Sequence, residues 1–362
     1  MQKTFNVTGS CDQDEHYMLP ALERCKGLLQ QVDWGHYFVI QAAPQSGKTT
    51  LLLELARQLN EAGDYYALYC SVGTVQGIVE AKEGISAIIK VMENQIKSHK
   101  TLNKYPFAEQ VNEDDYYMAL MEALAYFCQE LDKPLVILFD DMDCLSGGTL
   151  NSFLPQIRSG HNSRSHIPFA HSIVFAGIRR KIRYDETHQE AETRRGSPFN
   201  IVSETFSLQN FTLEEMSNLY AQHTEQTGQV FSKAVIETIY DNTWGQPWLV
   251  NAIAKEIVVK MLDKDVSKTI NPEQVEPAIQ TLIQRRDSHI DGLMKRLKEP
   301  RVQRIIEPVI MGERKGYGLL DDDYQYVLDL GLLREADRRM VLSNPIYREV
   351  INRALKGERG KD

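Results

Sequence analysis

Apolar runs and helical patterns alternate through the first half of the chain. Five short runs are typical of β-strands and lie at residues 37–41, 65–70, 134–139, 172–177 and 200–207. Helical periodicity is found between them, at residues 49–63, 75–99 and 114–131. The run PLVILF at 134–139 has no polar position, as in a strand that is buried on both faces. Strands that alternate with helices predict an α/β fold with a parallel sheet and right-handed crossovers.

The pattern changes near residue 208. Residues 212–262 and 272–311 show helical periodicity without a strand pattern. Residues 316–355 then predict a helix, two short strands and a last helix. These changes predict three domains: an α/β core over residues 1–208, a helical domain over 209–270 and a mixed domain over 271–362.

Length and composition agree with this organisation. A chain of 362 residues has room for two or three domains, and 42 % hydrophobic with 25 % charged residues is ordinary for a globular protein. We see neither a membrane-spanning apolar run nor an apolar leader. The five cysteines are scattered and none forms a C-x-x-C pair. This favours reduced thiols and a cytoplasmic location over a disulfide framework or a zinc site.

The charge of the chain is acidic overall but uneven. The net charge of −9 argues against a protein that coats nucleic acid non-specifically. Residues 272–362 depart from that balance, because they hold 17 Lys/Arg against 16 Asp/Glu. The C-terminal part is therefore relatively basic within an acidic protein.

An eight-residue segment between the first strand and the first long helix fits the pattern G-x-x-x-x-G-K-[ST] with one departure. Ala42 stands at the first glycine position, and Gly47, Lys48 and Thr49 complete the motif. In such a loop, backbone N–H groups at a helix N-terminus cradle phosphate, the lysine reaches the β- and γ-phosphates, and the hydroxyl binds Mg²⁺. A chance G-K-T in a surface turn is the alternative, and the flanking strand and helix argue against it. The predicted contacts of ATP are Ala43, Pro44, Gln45, Ser46, Gly47, Lys48, Thr49 and Thr50.

Carboxylates follow the most apolar run of the chain, in the sequence LVILFDDMD at residues 135–143. Asp140 would bind Mg²⁺, directly or through water, together with Thr49. Asp141 stands where many ATPases have a glutamate that polarises the attacking water, and its shorter side chain predicts slow hydrolysis. Alternatively, these acids only solvate a strand end, and we expect Asp143 to cap a turn.

These motifs resemble those of bacterial and archaeal AAA-like ATPases of the additional-strand P-loop class. That group is related in layout to origin-recognition initiators and to the signalling NTPases called STAND proteins. The resemblance covers nearly the whole chain and rests on HYMLP (16–20), APQSGKTT (43–50), LVILFDDMD (135–143), TWGQPWL (243–249), LDLGLL (328–333) and LSNPIYRE (342–349). It implies that the three predicted domains are a P-loop ATPase core, a helical lid and a winged helix.

The resemblance also implies roles for arginines outside the two motifs. In this class the fourth strand ends between the two motifs and carries a polar residue that detects the γ-phosphate. Arg179, with Arg180 second, has that place here and would be catalytic, although a basic surface loop gives the same sequence. Arg194 or Arg195 would act across a subunit boundary, which implies a homo-oligomer.

Two further residues are implied at the nucleotide. Tyr17 lies in the segment that covers the adenine in related folds, so its ring would stack on the base. An aromatic side chain on a packing face is the alternative. Pro247, in the G-x-P element of the lid, would pack near the nucleotide.

A basic stretch distinguishes the C-terminal part. Residues 281–304 carry seven Lys/Arg against three Asp/Glu, and the turn from Arg334 to Arg339 would be a basic wing. Facing phosphate, these residues would bind double-stranded DNA. A solvated helix face has the same composition, and many winged helices dock protein instead.

Three functions fit the sequence. The first is an ATP-driven switch that acts on DNA, alone or with a separate nuclease-type partner. The second is a STAND-like signalling NTPase that holds ADP and docks protein through its winged helix. The third is a binding scaffold with a degenerate site, against which the intact Lys48, Thr49 and Asp140 argue.

Overall fold

The chain forms two compact units. The structure, a computed structural model, describes residues 3–108, 112, 115–177, 198–312, 321–336 and 339–359. One unit, here called the sheet unit, comprises Leu22–Gln41 and Lys48–Leu208. The other, here called the helical unit, comprises Met1–Ala21, Ala42–Gly47 and Gln209–Asp362. The division into three domains stays a prediction.

The sheet unit contains a five-stranded parallel sheet. Its elements are α1 (Leu28–Asp33), β1 (Tyr37–Gln41), α2 (Lys48–Ala62), β2 (Tyr66–Ser71), α3 (Ala81–Ser98), α4 (Ala119–Glu130), β3 (Leu135–Asp140), α5 (Gly147–Ser163), β4 (Ser172–Gly177) and β5 (Val202–Ser207). The strand order is β2-β3-β4-β1-β5, and every neighbouring pair is parallel. The predicted α/β fold with a parallel sheet is confirmed, and β4 lies between β1 and β3.

Both faces of the central strands are covered, which explains why their sequences are apolar at every position. All residues of β1, β3 and β4 are buried. Alternate residues of these strands join one core with α3, α4 and α5, in which Phe139 packs edge-on against Phe153. The side chains of α2 that are buried repeat at helical spacing, at Leu51, Leu52, Leu55, Ala56 and Leu59.

Helix boundaries differ from the predicted ones where local backbone geometry intervenes. The helix predicted from residue 75 begins at Ala81, because the chain first forms a short turn at Gly73–Val75 and then bends at Gly77, whose φ is +85°. A left-handed residue of this kind ends helical geometry. The sequence analysis gave no helix for residues 147–163, where two glycines and an internal proline weaken the pattern of α5.

The helical unit contains helices and one hairpin. Its elements are α6 (Leu213–Thr227), α7 (Lys233–Thr243), α8 (Pro247–Lys255), α9 (Val275–Arg285), α10 (Ser288–Arg296), α11 (Pro300–Ile310), α12 (Asp322–Asp329), β6 (Leu333–Ala336), β7 (Arg339–Leu342) and α13 (Pro345–Arg359). Strands β6 and β7 pair antiparallel. Within the described residues, no helix is both long enough and apolar enough to cross a membrane.

A tight backbone contact fixes the turn between α7 and α8. Gly245 has a φ of +68°, and a Cβ atom there would lie 1.8 Å from the carbonyl oxygen of Phe211. The carbonyl of Gly245 in turn accepts a hydrogen bond of 2.8 Å from the N–H of Phe211. Only glycine fits this position, and the turn places Gln246 as the N-cap of α8.

Gly84 gives a test of the packing between α3 and α5. A Cβ atom at Gly84 would lie 1.9 Å from Oγ1 of Thr149, whose hydroxyl donates to the carbonyl of Ile78 at 2.6 Å. We expect Gly84→Ala to destabilise the protein by about 1–3 kcal/mol in urea unfolding, because α3 and α5 must separate.

Gly292→Ala is the matched control for Gly84→Ala. Gly292 also lies inside a helix, but its added Cβ would meet nothing within 4 Å. Alanine there should stabilise by about 0.5–1 kcal/mol through helix propensity alone. Equal stabilisation by both substitutions would contradict the close packing of α3 on α5.

Candidate functional site

The motif loop Ala42–Gly47 belongs to the helical unit. Gly47 has a φ of +97°, a conformation that a side chain would strain, and the motif glycine is therefore required by the backbone. Gln45 also has a positive φ, +57°. Within the loop, the Ser46 hydroxyl donates to the carbonyl of Ala43 at 2.6 Å. Ala42, in place of the first motif glycine, is buried.

In the sheet unit, the first turn of α2 meets the end of β3. The Thr49 hydroxyl donates a hydrogen bond of 2.6 Å to Oδ2 of Asp140. The Tyr69 hydroxyl donates to the same oxygen at 3.1 Å, and the N–H of Asp141 donates to Oδ1 at 2.9 Å. Asp140 is fully buried, so these three donors replace water around its carboxylate.

The second acid is held by a different strand. Oδ2 of Asp141 accepts a hydrogen bond of 2.6 Å from the Ser71 hydroxyl, at the end of β2. Asp141 has a left-handed backbone, with φ 60° and ψ 32°. Gly73 makes room for it, since a Cβ there would lie 3.1 Å from Oδ2 of Asp141. The side chain of Asp141 is therefore fixed in direction.

The ammonium group of Lys48 lies in the field of three carboxylates. Burial lowers the pKa of Lys48, and the charge of Asp143 opposes this shift more strongly than Asp140 or Asp141 does. Asp143 reaches this place because β4 ends in Gly177, where a Cβ atom would lie 2.8 Å from Oδ2 of Asp143. The expectation that Asp143 caps a turn stays a prediction, and the structure adds an effect of its charge on Lys48.

Residues of the C-terminal half contact the motif loop within the helical unit. The side-chain amide of Gln246 donates to the carbonyl of Gln45 at 3.4 Å, and Nδ1 of His289 lies 2.6 Å from Oε1 of Gln45. Gly331 approaches the loop so closely that a Cβ there would lie 2.8 Å from Cβ of Ala43. Sequence analysis singled out neither His289 nor the side chain of Gln246.

The donor set of the sheet unit fits Mg²⁺. A hydroxyl and a carboxylate are hard oxygen ligands of the kind that this ion prefers. Thr49 and Asp140 are already within hydrogen-bond distance of one another, so both can face one ion. The described residues contain no group of three or more His, Cys, Asp or Glu suited to a metal, and the remaining ligands would be phosphate and water.

Tyr17 does not have the predicted place at a base. Its side chain is only 2 % exposed and packs against Phe5, with ring centroids 4.8 Å apart, and against His223. Its hydroxyl donates to Oε1 of Gln226. With both ring faces in the core, Tyr17 fits the packing alternative instead of adenine stacking.

Other predicted site residues are placed as follows. Pro247 is buried as the first residue of α8, and its role at a nucleotide stays a prediction. Lys48, Thr49 and Thr50 form the first turn of α2. The predicted arginines Arg179, Arg180, Arg194 and Arg195 lie outside the described residues.

Five of the seven basic residues of 281–304 form ion pairs with acidic side chains. The ion pairs are Arg285 with Glu256 and Asp287, Lys295 with Asp291, Arg296 and Arg301 with Glu299, and Arg304 with Asp321 and Asp323. Arg334 lies over the ring of Trp244 at 3.5 Å and donates to the carbonyl of Ser343. Much of the positive charge that predicted a DNA contact is thus balanced inside the protein.

Comparison with protein families identifies the chain. A family model described as an AAA-like domain matches residues 18–353. The chain belongs to this AAA-like family. Among curated proteins, none matches it significantly in sequence.

Solved structures share the fold of this AAA-like protein. The Walker-type ATPase of Pyrococcus abyssi is 13 % identical with a TM-score of 0.63, and the match covers 96 % of this chain and 99 % of that one. The ORC2 protein of Aeropyrum pernix, in ADPNP–ADP complexes, is 14 % identical with a TM-score of 0.50 and 92 % coverage of both chains. At these identities the likeness shows a shared fold and no more.

The contact between Lys48 and the carboxylates gives a test that needs no nucleotide. We expect Asp143→Asn to lower the pKa of Lys48 further, because it removes the negative charge that most strongly favours the ammonium form. A larger fraction of neutral amine should raise the labelling rate of Lys48 by an amine-reactive reagent at fixed pH. Peptide mass spectrometry measures that rate, and the other lysines are internal controls. An unchanged rate at Lys48 would show that Asp143 does not act on it.

Proposed function

We propose that this AAA-like protein binds Mg-ATP, hydrolyses it slowly, and uses the change of nucleotide as a conformational switch. The observation that carries the proposal is the 2.6 Å hydrogen bond between Thr49 and Asp140. It joins the hydroxyl of the G-K-T motif to the acid that ends β3. These are the two protein groups that hold Mg²⁺ beside a nucleotide in P-loop ATPases.

The chemistry assigned to each group follows from its atoms. The N–H groups of the loop and the ammonium of Lys48 would bind the phosphates, whose charge Mg²⁺ partly neutralises when bound. Thr49 would ligate the ion, and Asp140 would orient it through water, since both its oxygens accept protein hydrogen bonds. Asp141 would accept a hydrogen bond from the attacking water.

Two features of Asp141 support slow turnover. Its side chain is one methylene shorter than glutamate, so it reaches less far towards a γ-phosphate. One of its oxygens also accepts a short hydrogen bond from Ser71, which leaves less capacity to bind and polarise water. Both features weaken general-base assistance without disturbing the groups assigned to phosphate binding.

Two substitutions should therefore have different effects, one on nucleotide binding and the other on turnover. Lys48→Ala should abolish measurable ATP and ADP binding in isothermal titration calorimetry, because it removes the charge next to the phosphates. Asp141→Asn should keep the affinity for Mg-ATP within about threefold and lower kcat by about 10²- to 10⁴-fold, the range of general-base assistance.

The control for these two substitutions is a change at the end of β2. Ser71→Ala frees the second oxygen of Asp141, so it should leave nucleotide affinity unchanged and raise kcat or leave it near the wild-type value. ATP binding by Lys48→Ala with wild-type affinity would contradict the proposal. Wild-type kcat in Asp141→Asn would move water activation to another residue.

For the output of the switch, the structure supports protein docking over DNA contact. Four of the five arginines of 281–304 form ion pairs with acidic side chains, so a phosphate backbone would have to replace partners that are already in place. We therefore favour the signalling alternative. In it, the protein is a STAND-like NTPase of the additional-strand class with a C-terminal winged helix. A DNA-acting switch with a nuclease-type partner is the second candidate, supported by the charge of this stretch.

Salt dependence distinguishes the two outputs. If Arg296 and Arg301 contacted phosphates, the double substitution to Gln would flatten the log–log dependence of DNA affinity on salt by about 1.8 units, at about 0.9 per contact. Because both arginines pair with Glu299, we expect a change below about 0.5 units. Gel shifts with double-stranded DNA at several salt concentrations, with ATP, ADP or no nucleotide, measure it. A loss near 1.8 units would restore the DNA proposal.

A further inference from the structure

Gln45, near the middle of the motif loop, has an unfavourable backbone. Its φ of +57° lies in the left-handed region, which costs a non-glycine residue about 1–2 kcal/mol. Gln45 is exposed, so burial does not offset that cost. Contacts made by Gln45 itself must therefore help to keep the loop in this conformation.

Two contacts hold Gln45 from opposite ends of the residue. Its carbonyl oxygen accepts a long hydrogen bond of 3.4 Å from Gln246, the N-cap of α8. Its side-chain oxygen accepts a short one of 2.6 Å from Nδ1 of His289, in the first turn of α10. The shorter contact comes from a residue 244 positions away in sequence.

The hydrogen-bond partners of His289 determine its tautomer. An amide oxygen can only accept, so the proton must be on Nδ1 of His289. Burial lowers the pKa of His289 to about 4, so the ring is neutral and Nε2 is an acceptor. The Tyr347 hydroxyl lies 2.7 Å from Nε2 and donates to it. The ring also stacks on Trp248, with centroids 5.0 Å apart and planes at 19°.

This arrangement links the loop to the last helix. Tyr347 lies in the first turn of α13, where its N–H donates to the side-chain oxygen of Asn344 at 2.8 Å. The side chains of Gln45, His289 and Tyr347 therefore form one continuous path of hydrogen bonds. The path runs from the motif loop to the segment NPIY, at the start of the last helix.

We propose that His289 is a positioning residue for the nucleotide loop: by donating from Nδ1 to Gln45 it stabilises the loop conformation, and through Tyr347 it couples that conformation to α13. The inference rests on the proposed function and names the residues through which the C-terminal part responds to nucleotide. His289 acts through Gln45 and touches no phosphate. The coupling is reciprocal. If nucleotide binding changes the affinity for a partner that moves α13, that partner changes nucleotide affinity by the same factor.

A double-mutant cycle tests the contact. Gln45→Ala and His289→Phe should each weaken binding of ADP and Mg-ATP about fivefold to tenfold, the effect of one lost hydrogen bond. Phenylalanine keeps an aromatic ring next to Trp248 and removes both hydrogen bonds. If the two residues act through one another, the double variant should be no weaker than either single one. Affinity is measured by calorimetry on the full chain.

Two further variants distinguish positioning from a purely structural role. The amide of His289→Asn can replace Nδ1–H, so it should restore affinity to within about threefold of wild type. It cannot replace Nε2 and loses the contact with Tyr347. Conversely, Tyr347→Phe keeps the contact between His289 and Gln45, so it should leave nucleotide affinity near the wild-type value. In steady-state assays, His289→Phe should raise KM and leave kcat within about twofold, because no group that touches the reacting atoms has changed.

His223→Phe is the matched control. His223 is also a buried histidine of the helical unit, and its ring contacts Tyr17 and Gln229. The substitution should lower the melting temperature as His289→Phe does, yet leave nucleotide affinity within about twofold. A loss of affinity in His223→Phe equal to that in His289→Phe would show that general destabilisation explains both.

The outcomes separate this inference from the proposed function. If wild type binds no nucleotide, or if Lys48→Ala binds equally well, the proposed function fails and this inference with it. If wild type binds and Lys48 is required, but the effects of Gln45→Ala and His289→Phe multiply, only the inference is wrong. Failure of His289→Asn to restore affinity, with a normal melting temperature, would equally overturn it.

Discussion

The contact between Thr49 and Asp140 depends on a geometric constraint of the parallel sheet. Strands in a sheet are about 4.8 Å apart, so β1 and β3, with β4 between them, end roughly 10 Å apart. The 2.6 Å hydrogen bond spans that gap, because it joins Thr49 in the first turn of α2 to Asp140 at the end of β3. Gly177 ends β4 without a side chain, and the space it leaves is used by Asp143. The order of the strands β1, β4 and β3, together with Gly177, thus determines which acids face Lys48.

The sequence predicts the sheet well because its signals are local. Each central strand is a short apolar run buried on both faces, and that burial is visible in composition alone. The G-K-T motif and the acids after β3 are equally local, and the structure brings Thr49 and Asp140 together as those motifs predict. The helix α5 escaped prediction because glycines and a proline weaken its pattern, although its buried residues recur at helical spacing.

The contacts that sequence analysis missed depend on distant parts of the chain. Asp143 has its place because Gly177 lies beside it, and Ser71 contacts Asp141 because β2 and β3 are neighbours in the sheet. His289 contacts Gln45 across 244 positions, and a lone histidine in a helical pattern gives no signal of such a contact. Tyr17 is the opposite case. The resemblance implied that its ring stacks on the adenine, whereas in the structure the ring packs against Phe5.

The conformation of the motif loop depends on contacts within the helical unit, to which Ala42–Gly47 belongs. Gln45 has a left-handed backbone, which is unfavourable for a non-glycine residue and persists only where neighbours hold it. Two C-terminal residues of the same unit hold it here, since Gln246 donates to its carbonyl and His289 to its side-chain oxygen. The bond from Gln246 is long, at 3.4 Å, whereas the bond from His289 is 2.6 Å, so His289 makes the stronger contact. The loop is thus held mainly by a residue that lies 244 positions away and that the sequence pattern did not single out.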